Sequence, residues 1–257
     1  MYQPVFTQPP QSWRDWWSAV RQFAAGWYGI AAGEVQGYDR EVDRLGRQLG
    51  MPLSPSIHEW AAFATDLQHA GIFGRAFNGD SFTLGWDSDM QAVTLLTLLE
   101  GDVCWGAHQA HLGRDDPPVD LWHPARIGGH WDWWRGFTPT TSQFALQYLI
   151  AHLVYPGNPA AGGFTTTVPP APEIAGQLRG IGRTSIDLGG EVLIEDDDLV
   201  VLAGTSVWAP PGEETGTITV RAAIGATRID SVPQLLVDLA RRGGGWSYGA
   251  FTDPLHR

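Results

Sequence analysis

The chain contains no lysine, and its sixteen basic residues are all arginine. Twenty-eight acidic residues stand against them, giving a net charge of −12, and no basic cluster is larger than the pair Arg241-Arg242. A nucleic-acid backbone is repelled by such a chain, which argues against direct DNA or RNA binding. Cysteine is nearly missing too: Cys104 stands alone, so neither an intrachain disulfide nor a multi-cysteine zinc site can form. No apolar run approaches the ~18 residues that span a bilayer. The opening MYQPVFTQPP lacks the basic and apolar regions of a signal peptide. These absences predict a cytoplasmic protein with no membrane partner. Also missing are a G-x-S-x-G elbow, a G-x-x-x-x-G-K loop, and a G-x-G-x-x-G at a strand-to-helix turn. Nothing in the sequence amounts to a catalytic signature, and no cofactor or metal is expected.

What is present is a globular composition. With 43% apolar residues in 257, the chain can bury the core of one large domain or two small ones. Trp13, Trp16, Trp17, Val20, Phe23, Ala24 and Trp27 recur at helical spacing, with Ser12 and Asp15 at a capping-box start, so a helix is expected from Ser12 to about Gly29. Glu34–Gly50 reads as a second amphipathic helix stopped by Gly50 and Pro52. A third is expected from Ser56, with Ser56 as the cap and Glu59 reaching back.

Phe82–Trp86 and Ala92–Leu99 read as strands, the second nearly all apolar as a central strand is. The turn Glu100-Gly101-Asp102 leads into Val103–Gly106, which predicts an antiparallel hairpin. The stretch Gly101–Asp120 then closes with Asp115-Asp116-Pro117-Pro118, where two prolines forbid helix and favour an extended entry into the next strand. A helix capped by Thr141-Ser142 follows, with Leu146, Leu149, Ile150 and Leu153 as its stripe.

Pro156–Pro172 has the Gly, Pro and Thr content of a linker. Beyond it, Val192–Ile194 and Leu199–Leu202 flank Glu195-Asp196-Asp197-Asp198 in a strand–turn–strand pattern. Thr217–Ile224 alternates as a half-buried strand, and a last helix starts near Ser231 and Pro233. The expected fold is α+β. A mainly antiparallel sheet packs against the N-terminal helices and a 140–154 helix, and a smaller C-terminal α+β unit follows. The expected division is 1–155, a linker at 156–172, and 173–257.

Leu45-Gly46, Leu49-Gly50-Met51-Pro52-Leu53 and Ser56-Ile57-His58-Glu59-Trp60 resemble the opening of the SMI1/KNR4, or SUKH, family. Trp105-Gly106, Leu112-Gly113 and Asp115-Asp116-Pro117-Pro118-Val119 resemble that family's later strand and "DDPPV" turn. The resemblance covers about residues 42–155. One departure is Leu99-Glu100-Gly101-Asp102, where many relatives carry an Asn-Gln-Gly-like turn. The resemblance implies a non-enzymatic protein-binding module. Bacterial members are typically immunity proteins that neutralise toxins, many of them nucleases, and fungal members act in cell-wall regulation. An acidic chain facing a basic toxin is electrostatically sensible.

Three side-chain groups compete for a role. Trp131, Trp133 and Trp134 in HWDWWRGF can fill a partner's pocket, stack on a sugar as a carbohydrate-binding module does, or wedge the sheet against the helices. Asp115 and Asp116 are candidate binding residues at the family turn. His108, His111, Asp115, Asp116 and His123 together offer metal-ligand chemistry for a metal-dependent enzyme. Against that, the H-x-x-H spacing lacks the i, i+4 register and the glutamate of a zinc helix. Asp196–Asp198 lacks the glycine and terminal glutamate of a calcium loop and reads as a solvated turn. Cys104, inside an apolar strand, reads as a buried inert thiol.

Overall fold

The computed structural model describes residues 2–72, 81–98, 103–124, 131–154, 162–168, 172–188, 191–205 and 218–242. The fold is α+β, with two antiparallel sheets of five strands each among the described residues, and the chain divides into two units. One comprises residues 11–21 and 30–146, the other 1–10, 22–29 and 147–257.

In the first unit the strands β1 (Ser81–Asp87), β2 (Ala92–Leu98), β3 (Val103–His108), β4 (Val119–Pro124) and β5 (Trp131–Thr138) form a meander in sequence order. The expected hairpin pairs Leu98 with Val103 and Ala92 with His108. Gly106 is obligatory in β3: a Cβ there would lie 2.3 Å from the Val93 carbonyl oxygen and 2.6 Å from the Trp122 ring. Trp122 instead packs with Ala92 and Cys104 in a small apolar cluster.

Helices α1 (Trp13–Tyr28), α2 (Arg40–Leu49) and α3 (Pro55–His69) precede this sheet, and α4 (Thr141–Leu153) follows it. The Ser12–Asp15 capping box forms, with the Ser12 amide donating to Asp15 at 3.0 Å and the Asp15 amide to Ser12 Oγ at 3.2 Å. From α1, Trp17 is buried and donates its indole N–H to Ser56 Oγ at 2.9 Å. From α3, Trp60 donates to the Leu95 carbonyl at 2.9 Å and meets Phe144 edge-on at 5.3 Å. Trp17 and Trp60 thus bury their rings while each indole N–H keeps a partner.

The starts of α3 and α2 differ from expectation. Ser54, not Ser56, caps α3, because Pro55 occupies the first helical position, where its missing N–H costs nothing. Glu59 therefore makes no capping box. It is fully buried, paired with Arg21, and it accepts the amides of Gln36 and Gly37 at 3.0 Å each. Asp39 rather than Glu34 begins α2, its carboxylate taking the amides of Glu41 and Val42.

The second unit holds the sheet β6-β10-β9-β8-β7, from strands Gly162–Val168, Ile218–Ile224, Leu199–Thr205, Glu191–Asp196 and Thr184–Asp187 respectively. One face packs against α5 (Pro172–Arg179) and α6 (Gln234–Arg242) around Phe164, Val201, Val220, Leu236 and Leu239. β6 lies inside the run expected as a linker. Its Phe164-Thr165-Thr166-Thr167-Val168 core is strand-forming, and it takes an edge position on β10. Nor is this unit built from 173–257 alone. Tyr2 and Phe6 are buried within it, and Tyr2 packs on Phe23 and Trp27 at 5.5 and 4.8 Å.

The strand–turn–strand at 191–205 is present, with Asp198 at φ +48° in the turn. It is not a solvated acidic turn: Glu195, Asp196 and Asp198 are buried. Glu195 accepts the Tyr2 hydroxyl and, at 2.8 Å, the Phe6 amide. Asp198 accepts the Tyr2 amide and the Thr227 hydroxyl. Asp196 pairs with Arg183 at 3.1 Å and Arg228 at 2.9 Å. Each carboxylate thus exchanges water for donors supplied by distant segments.

Candidate functional site

The Asp115–Pro118 turn is built into the framework of the first unit. The Asp115 carbonyl accepts the Ser56 amide at 3.1 Å and the Ser54 hydroxyl at 2.9 Å, tying the turn to the start of α3. Asp116 accepts the Ser142 amide at 3.1 Å and its hydroxyl at 2.5 Å, and the Pro117 carbonyl accepts the Thr141 hydroxyl at 2.9 Å. Thr140 completes this helix start, its hydroxyl oxygen accepting the Gln143 amide at 3.2 Å, one position before the expected cap. Burial raises the Asp116 carboxyl above its ordinary range, and its hydrogen bonds from Ser142 pull the other way. The side chain of Asp115, by contrast, is exposed.

The candidate metal ligands are not brought together. His108 uses Nδ1 to accept the Ala110 amide at 3.1 Å, capping the short 3₁₀ turn Gln109–His111, and the His111 ring lies 6.3 Å away at its centroid. Asp116 is committed to α4, and the side chain of His123 lies outside the described residues. Among the described residues no group of three His, Cys, Asp or Glu side chains is disposed to hold a metal ion. Cys104 is buried, and burial pushes its thiol up to about 11, as expected of an inert thiol. The backbones of Trp131, Trp133 and Trp134 run in β5, at the edge of the sheet, opposite Pro124, Trp122 and Leu121. Their side chains lie outside the described residues.

Helix α2 is a ridge whose buried residues are Val42 and Gly46, and a recess lies on either side of it. Gly46 permits that burial, because a Cβ there would stand 2.9 Å from the Met51 carbonyl oxygen. On one side a recess of about 360 Å³ is lined by Asp43, Arg47, Met51, Leu53 and His58. Tyr38, 52% exposed, stacks on His58 with ring centroids 5.7 Å apart. Burial lowers the His58 pKa, while the Asp39 backbone and the Asp39 and Asp43 charges pull it up, and its Nδ1 lies 2.9 Å from the Asp39 amide nitrogen and 3.1 Å from the Asp39 carbonyl oxygen.

On the other side of α2 a recess of about 490 Å³ runs between α2, α3 and β1. Leu45, Ala61, Phe82, Leu84 and Trp86 supply its apolar lining; Asp39, Glu41, Arg44, Gln48 and Thr65 supply its polar lining. Sequence reasoning found these elements and missed the groove. The Phe82-x-Leu84-x-Trp86 alternation was its one available signal, and a strand covered by helices gives the same pattern.

No described helix is long and apolar enough to cross a membrane. No protein-family model matches the chain, and no curated protein or solved structure does either.

Proposed function

We propose that this chain is a non-enzymatic protein-binding module of the SMI1/KNR4 (SUKH) kind, acting in the bacterial cytoplasm as an immunity protein that neutralises a basic toxin such as a nuclease. The observation that carries the reading is the Asp115–Pro118 turn. The segment behind the resemblance joins the starts of α3 and α4 through its carbonyls and the Asp116 carboxylate, an architectural role for a motif that lacks catalytic grouping. Partner chemistry follows from charge: at −12 the chain attracts a basic surface and competes with phosphate for the same field. The exposed Asp115 and the β5 residues Trp131, Trp133 and Trp134 are candidate anchors.

The test is co-expression in a bacterial host with the toxin candidate encoded beside this gene. Restored growth together with a salt-sensitive equimolar complex on size exclusion is the expected result. No rescue and no complex would refute the reading.

A further inference from the structure

We propose that the recess between α2, α3 and β1 is a docking groove for an extended, cationic segment of a protein partner, which joins the sheet as an added strand beside β1. The proposal rests on the reading of the chain as a protein-binding module, and it specifies where and how a partner engages.

The first argument is the backbone. β1 ends the sheet order, and among the described residues its ladder pairs with β2 alone. Alternate amides and carbonyls of such a strand point away from the sheet and form a template for an extended chain. β1 has seven residues, so it can pair with a segment about 23 Å long. A register shift between Phe82 and Gly85 adds local twist, which disfavours indiscriminate edge pairing and favours a segment shaped to it.

The second argument is the lining. Phe82, Leu84 and Trp86 are all half-buried, opposite Leu45 and Ala61. A recess of about 490 Å³ accommodates several side chains. An added strand sends every second side chain to one face, so alternate apolar residues of the segment would enter this recess.

Charge selects the remaining positions. Arg44, the one guanidinium among the described lining residues, is bound by Glu41 through two hydrogen bonds of 2.7 and 3.0 Å. Asp39 caps α2 through Oδ1, and its carboxylate is left as the net charge of the lining. An arginine or lysine between the apolar residues of the segment complements it, in keeping with the −12 of the whole chain.

Three synthetic nonapeptides test this: one alternating valine and arginine, its valine–glutamate counterpart, and the valine–arginine peptide N-methylated at every second amide. The expected result is binding of the first, with amide exchange across Ser81–Asp87 slowed at least tenfold. The other two should bind at least tenfold more weakly. Gln48→Arg and Thr65→Arg, both at exposed rim positions, should weaken the first peptide at least tenfold without altering the fold. Binding that leaves β1 exchange unchanged, affinity indifferent to both rim variants, or no binding at all overturns the proposal. The rim variants also separate the two readings. Full toxin rescue by variants that no longer bind peptide would remove the groove from the toxin interface and leave the module reading standing. Absence of rescue by the unaltered chain would remove the module reading, while the peptide result still decides the groove.

Discussion

Glu191 offers the sharpest quantitative test of the second unit. It is buried, accepts the Gln147 amide nitrogen at 2.6 Å, and faces Arg221 at 3.6 Å. Burial pushes its carboxyl up to about 7, although the Arg221 charge and the Gln147 hydrogen bond both pull it down. The folded protein therefore holds this proton more tightly than the unfolded chain, whose carboxyl titrates near 4.5. Stability from this group is fully present below the unfolded value and is lost as pH rises through about 7. The displacement corresponds to about 3 kcal/mol across that window, with a slope of at most about 1.4 kcal/mol per pH unit. Glu191→Gln abolishes the titration and keeps an oxygen for Gln147, and its neutral amide stands in for the protonated carboxyl that faces Arg221 below about pH 7. The informative quantity is the stability difference between the two proteins, from urea unfolding at half-unit steps between pH 5 and 8. Glu195 and Asp116, also raised by burial, titrate in both proteins and cancel. Relative to the variant, the unaltered protein should lose about 2.5 kcal/mol between pH 5 and 8. A difference constant to within about 0.5 kcal/mol would show that Glu191 is already ionised at pH 5 and refute the reasoning.

Glu59→Ala should cost about 3–5 kcal/mol in urea unfolding, since it strands the buried Arg21 guanidinium and two loop amides; a loss under about 1 kcal/mol would contradict that role. Asp66→Ala, at the half-exposed end of the same network, should cost less than about 1 kcal/mol. Gly106→Ala should destabilise by about 2 kcal/mol or more because the new methyl meets both a backbone oxygen and the Trp122 ring, and a neutral effect would mean that β3 can shift. Cys104 should resist a thiol reagent at pH 8 in the native protein and react at once in denaturant, whereas fast native labelling would show the thiol to be accessible.

Much of the framework was legible because local patterns and tertiary packing agree. The stripe from Trp13 to Trp27 demanded a helix, and the apolar runs at Ala92–Leu99 and Val103–Gly106 pointed to the antiparallel pair that β2 and β3 form; the expected turn at Glu100-Gly101-Asp102 lies outside the described residues. Where they diverge, reading failed. Ser56 and Glu59 have capping-box spacing, but Pro55 moves the cap to Ser54 and frees Glu59 for Arg21, a partner thirty-eight residues away. Glu195–Asp198 looks like a solvated turn, since nothing nearby in sequence announces that Tyr2, Phe6, Arg228 and Thr227 supply its donors. β6 is hidden by the prolines and glycines on either side of its threonines, and β7 has only four residues. The recess beside α2 is set by how far α2 stands from β1, a spacing that no periodicity encodes.

The attachment of Tyr2 and Phe6 to the β8–β9 hairpin also sets a schedule for biosynthesis. Tyr2 leaves the ribosome nearly two hundred residues before Glu195 and Asp198, and β10 comes later still. At translation rates of roughly 5–20 residues per second, that segment waits on the order of 10–40 s for the carboxylates that its amides and the Tyr2 hydroxyl bind. During that interval chaperones, or the same segment of a neighbouring nascent chain, compete for it, so polysome crowding should penalise the yield of this protein more than that of one whose segments find their partners soon after synthesis.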